Sequence, residues 1–187
     1  MTSRIGDPVL PWNVYARLIN YAVCTSTVML LLENKDFREF IALLNSHKVK
    51  FLIVGGHAVT FHGYPRFTGD LNIWVAIDSK NAARIEQVLA SLGFGKLYNA
   101  QDFSRPGYAI QLGRPPYRID ILTSIDAVEF SSAYRRRKTF AAEGLKLSFI
   151  ALEELLANKR VAARAQDLLD VAKLEKPKRL RISKKVR

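Results

Sequence analysis

The stretch Phe51 to Val75, FLIVGGHAVTFHGYPRFTGDLNIWV, leaves the chain few ways to fold. An apolar, β-branched run over 49–54 stops at Gly55-Gly56, and 57–63 follows with helical character, closed by Gly63 and Pro65. The spacing predicts a buried strand, a tight corner and a short helix. Leu71, Ile73 and Val75 then alternate with Asp70, Asn72 and Trp74, which predicts a second strand with two unlike faces. Asp70 and Asn72 share one of those faces, while Leu71 and Ile73 enter the core.

The same alternation recurs at 117–122, where Ile119 and Ile121 point one way and Asp120 the other. A carboxylate in an apolar strand is costly unless it is paired, hydrogen-bonded or metal-bound. If the two strands are neighbours, Asp70 and Asp120 converge. Oxygen ligands meeting at one point suit Mg²⁺, so both aspartates are candidate metal ligands with Asn72 beside them. A salt bridge to Arg118 or Arg66 is the competing role for either aspartate. Trp74, on the face of Asn72, can border a base pocket or belong to the core.

The remaining pattern completes a fold class. Helical spacing of Phe37, Phe40, Ile41, Leu43 and Leu44 predicts a helix over 35–47, and Asp78 or Ser79 starts another over 79–92. Strands follow at 108–112 and 117–122, a hairpin at 139–142 and 145–150, then one long or two consecutive helices over 152–174. The order describes an α/β (α+β) domain with a mixed sheet flanked by helices and a C-terminal helical segment. Residues 1–28 show no clean period, with Gly6, Pro8 and Pro11 breaking any early pattern. A patterned helix starts at Met29, so 1–28 is expected to be an extension outside the fold and Met29 the native start. The expected division is a core over 29–150, helices packed on it over 151–175, and a basic tail over 176–187.

Composition narrows the setting. Among 187 residues, 29 Lys and Arg against 17 Asp and Glu give a net charge of +12. Seven of those cations lie in the tail, which has no acid and suits a phosphate-bearing partner such as RNA. Cys24 is the single cysteine, which excludes an internal disulfide and a Cys-rich zinc site. No run nears the roughly 20 apolar residues of a membrane span. A cytoplasmic protein without membrane contact is the expectation.

The run Gly55, Gly56, Ala58, His62, Gly63, Arg66, Thr68, Asp70, Leu71 resembles the polymerase-β-type nucleotidyltransferase superfamily. It resembles in particular the small bacterial nucleotidyltransferase-like proteins related to abortive-infection toxins. PPYRIDILTSI and FIALEELLANKRVAARAQDLLD add to that likeness, which spans about 30–175. The resemblance implies a nucleotidyltransferase fold that binds a nucleoside triphosphate with Mg²⁺ and transfers a nucleoside monophosphate to a hydroxyl of RNA or protein. It implies catalytic roles for Asp70, Asn72 and Asp120, with the metal on Asp70 and Asp120. Gly55 and Gly56 would lie under the triphosphate, and Arg66, Thr68 and Lys159 would meet its phosphates. It also implies an antitoxin protein as a partner. Asn72 departs from the family, whose motif carries a second aspartate there. A neutral amide supplies no charge against two cations, so the alternative is a catalytically degenerate fold that binds nucleotide or nucleic acid. Asp167 and Asp170, three apart on the last predicted helix, are expected to be structural surface residues.

Overall fold

The computed structural model describes the backbone of residues 12–95 and 97–175, with side chains from Tyr21 onward. Among these residues, six strands form one mixed sheet: β1 (Phe51–Val54), β2 (Asp70–Val75), β3 (Ala109–Arg114), β4 (Tyr117–Leu122), β5 (Lys138–Ala142) and β6 (Leu145–Phe149). Their order is β3-β4-β2-β1-β6-β5. β2 runs parallel to β4 and β1 parallel to β6, while the other pairs are antiparallel. β1 lies inside the sheet and all four of its residues are buried, which explains its continuous apolar run.

Among the described residues, seven α-helices accompany the sheet: α1 (Trp12–Glu33), α2 (Lys35–Ser46), α3 (Gly55–Phe61), α4 (Ser79–Ser91), α5 (Phe130–Arg136), α6 (Leu152–Ala162) and α7 (Ala165–Leu174). α2 begins where the Asn34 side chain accepts from Phe37 N, and it buries Phe37, Phe40, Ile41 and Leu44 along one stripe. Asp78, rather than Ser79, caps α4 by accepting from Asn81 N at 3.0 Å. Asn81 is itself buried: its side chain accepts from Lys50 N and donates to Lys50 O and Ala76 O, tying the start of β1 to the end of β2. Ala163, in the left-handed region at φ 49°, ends α6 and separates it from α7. The segment 152–174 is therefore two helices.

One expectation needs correction. The helix expected from Met29 begins at Trp12, so 12–28 is not unpatterned chain. Thr27, Val28, Leu31 and Leu32 are buried and α1 packs on α3, while Tyr21, Met29 and Leu30 stay exposed. Apolar residues on both faces of α1 blur the period that would have revealed it. At the end of α5, Arg136 pairs with Glu154, and Arg137 lies 4.0 Å over the Tyr134 ring. Residues 1–11 and the basic tail lie outside the described residues. No helix among those described is long and apolar enough to cross a membrane.

Candidate functional site

The two predicted strands are neighbours. In the parallel β2–β4 pair, Asp70 stands opposite Arg118 and Asn72 opposite Asp120. Alternation then brings these four polar side chains to one face, while Leu71, Ile73, Ile119 and Ile121 are buried on the other. The two aspartates converge on a single guanidinium. Arg118 Nε donates to Asp120 Oδ1 at 2.7 Å, and its Nη2 donates to Asp120 Oδ2 at 3.0 Å. The same Nη2 donates to Asp70 Oδ2 at 3.0 Å, so the two carboxylate oxygens lie no further apart than twice that distance. The hydrogen bond with Asp120 raises the Arg118 pKa above its ordinary value, and the charges of Asp120 and Asp70 add to the effect. Asn72 is tied locally, its Nδ2 donating to Asp70 O at 3.3 Å.

Gly55 and Gly56 form the first turn of α3, but their bare backbone faces other side chains of the same chain. Gly55 has φ 64°, and a Cβ there would meet Asn72 Nδ2 at 2.9 Å. A Cβ on Gly56 would fall on the Thr68 hydroxyl and within 2.7 Å of Thr68 Cβ. Thr68 thus fills the corner that a phosphate would otherwise approach. Overpacking predicts that Gly56→Ala costs about 1–3 kcal/mol of stability in urea denaturation. Thr68→Ser in the same protein would restore little, because the Thr68 Cβ remains in the way.

The cationic candidates are committed to carboxylates. Arg66 forks onto Asp170, with Nε to Oδ1 at 2.9 Å and Nη2 to Oδ2 at 3.1 Å. Lys159 Nζ lies 2.6 Å from Asp167 Oδ1 and 2.9 Å from Asp170 Oδ2. Asp170 is fully buried and Asp167 nearly so, which corrects the expected surface role. Burial pushes the Asp170 carboxyl up, but hydrogen bonds from Lys159, Arg66 and Gln166 outweigh it and hold the pKa below the ordinary value. His62 is structural, its Nε2 hydrogen-bonded to Ile150 O at 2.8 Å. Trp74 is in the core, edge-on to Phe130.

A cleft of about 230 Å³ lies between the end of the sheet and α6–α7, lined by Gly55, Asn72, Ser124, Asn158, Lys159 and Arg164 among others. Asn72 borders it, whereas neither Asp70 nor Asp120 does. Arg164, at the α6–α7 break, has no salt bridge among the described residues. With Lys159 matched by Asp167, Arg164 is the unmatched cation on this cleft, and Asp126 is a carboxylate on the same lining. Nothing local in the sequence distinguishes it from other helix arginines. Among the described residues, no three His, Cys, Asp or Glu side chains gather as a metal site.

No family model matches the chain, and no curated protein matches it. Among solved structures, it is similar to a Thermotoga maritima protein called a putative nucleotidyltransferase. The two share 14% identity with a TM-score of 0.47, over 89% of this chain and 95% of that one.

Proposed function

We propose that this chain is a nucleotidyltransferase-type protein acting as a nucleotide-binding module, with a nucleoside triphosphate in the cleft beside Gly55 and Asn72. The observation that carries this reading is the guanidinium shared by Asp70 and Asp120. Two converging carboxylates form a site for a cation, and here the cation is Arg118, tethered to the chain and charge-assisted to both acids. Asn72 adds no negative charge. A Mg²⁺ ion needs near-octahedral oxygen ligands and gives up its water reluctantly. As folded, this donor set does not fit a resident Mg²⁺, because the room between the acids is taken by a group of like sign.

The phosphates then have Arg164 as their cationic partner, with Asn158 beside it on the same cleft. A guanidinium grips phosphate oxygens through paired N–H donors, without metal. Thermal unfolding with ATP, GTP, CTP or UTP, in Mg²⁺ or in EDTA, tests the reading. At ligand tenfold above Kd, stabilisation of about 1.4 kcal/mol raises Tm by about 3–5 °C. The rise is expected to persist in EDTA and to disappear in Arg164→Ala. No shift with any triphosphate, or a shift that requires Mg²⁺, overturns it.

The convergence of Asp70 and Asp120 favours a second reading, an enzyme that transfers a nucleoside monophosphate to a hydroxyl of RNA or protein. In that reading Asp70 and Asp120, once released by Arg118, would hold a Mg²⁺ ion, which would supply charge neutralisation to the triphosphate. Asn72→Asp restores a third acid beside them and is expected to increase labelled nucleotide transfer to total RNA or protein. Absence of label in both the wild-type protein and Asn72→Asp ends that reading.

A further inference from the structure

A larger cavity, of about 450 Å³, lies on the other side of the α3 N-terminus and shares no lining residue with the Gly55 cleft. Phe37 and His57 form part of its wall, Thr60 and Thr68 contribute hydroxyls, and Phe67 and Tyr117 stand at its margin. Its size and mostly aromatic and apolar lining with a few polar groups match those of small-molecule sites. The rings are already organised: Phe37 makes edge contacts with His57 at 6.0 Å and with Tyr117 at 6.3 Å.

Three further observations define what it takes. Phe67 is 80% exposed and Tyr117 52%, so two aromatic rings lie open to solvent beside the cavity. Such rings are stacking surfaces for planar ligands. His57 is buried and its pKa is lowered to about 4, by burial first and then by the charge of Arg66, so at pH 7 it is a neutral aromatic wall. Arg66 also lines the cavity, but its charge is matched by Asp170. Glu33 carries an exposed carboxylate on the same cavity with no salt bridge among the described residues. An anion gains nothing from this arrangement. A neutral ring that offers N–H donors to Glu33 does.

We infer that this cavity binds a purine nucleobase, stacked against Phe67 and Tyr117 with its amino edge towards Glu33. The choice of a nucleobase among planar rings rests on the nucleotide reading of this protein; the cavity itself does not. Occupation by a base would place a second recognition site about α3, separate from the phosphate-binding cleft.

Calorimetric titration of the full chain with adenosine and guanosine tests this without any phosphate. Saturable binding is expected for a purine nucleoside, with ribose silent. Phe67→Ala and Tyr117→Ala, both at exposed positions, are each expected to weaken it at least tenfold, and Glu33→Gln to weaken it several-fold. Arg164→Ala is expected to leave it unchanged while removing the triphosphate shift, so failure of the cleft and failure of the cavity are separable. No saturation at 10 mM nucleoside overturns the inference. So does indole binding as tightly as adenosine, or nucleoside binding that both aromatic substitutions leave intact.

Discussion

Replacing Asp170 by Ala is expected to lower the unfolding free energy by about 3–5 kcal/mol. Asp170 is fully buried and accepts from Arg66 Nε and Gln166 Nε2 on one oxygen, and from Arg66 Nη2 and Lys159 Nζ on the other. Its removal leaves the Arg66 guanidinium without its counter-ion in a partly buried setting and Lys159 with Asp167 alone. The cost is the desolvation of charges that have lost their partner, which exceeds the net worth of the pair that was broken. For a domain of this size the loss corresponds to a Tm lower by roughly 10 °C. Urea denaturation provides the check, and a loss below about 1 kcal/mol would refute a buried hub at Asp170. The triple substitution Arg66→Met, Lys159→Met, Asp170→Leu removes every charge together and is expected to be more stable than Asp170→Ala alone. Because this hub ties the loop after α3 to α6 and α7, which present Asn158 and Arg164 to the cleft, Asp170→Ala is also expected to weaken triphosphate binding.

That hub shows where reading the chain reaches its limit. β1, the glycine corner and the two-faced strands were legible because each depends on residues a few positions apart: alternation of two for a strand, glycine where φ is positive. The adjacency of Asp70 and Asp120 could be anticipated from their shared position on the polar face of an alternating strand. The role of Arg66 could not, since its partner is 104 residues away and no periodicity connects them. Gly56 is ambiguous in the sequence for a related reason. A bare backbone position fits a phosphate or a close side chain equally well, and only the fold reveals that Thr68 takes the space. Arg118 was named as a rival partner for either aspartate, yet that one guanidinium satisfies both depends on the register of β2 against β4. α1 has no legible period upstream of Met29 because its exposed Tyr21, Met29 and Leu30 carry apolar character onto its outer face.

Stability is expected to fall by about 3 kcal/mol as pH is lowered from 7 to 4, with His57 as the main cause. Its imidazole is buried against the edge of Phe37, and burial, then the charge of Arg66, lower its pKa from 6.5 to about 4. The unfolded chain protonates this side chain below pH 6.5, while the folded protein refuses the proton until about pH 4. Within that window the unfolded state binds more protons, so stability rises with pH and is lost on acidification. His62 acts in the same direction, since burial lowers it and its hydrogen bond to Ile150 O only partly opposes this. Asp170 enters later: its depressed carboxyl contributes stability above its ordinary pKa of 3.8 and loses it only as pH falls below that value. The imidazole phase therefore begins first, below pH 6.5, and the carboxylate phase begins below pH 4.5, where Glu129, held down by hydrogen bonds from Ser131 and Ser132, joins Asp170. Urea midpoints at pH 7, 5.5 and 4.5 measure the first. His57→Phe keeps an aromatic ring against Phe37 and cannot titrate, so its midpoint is expected to change much less over this range. An equal decline in His57→Phe and in the wild-type protein would assign the proton uptake to another group and remove the neutral wall from the aromatic cavity.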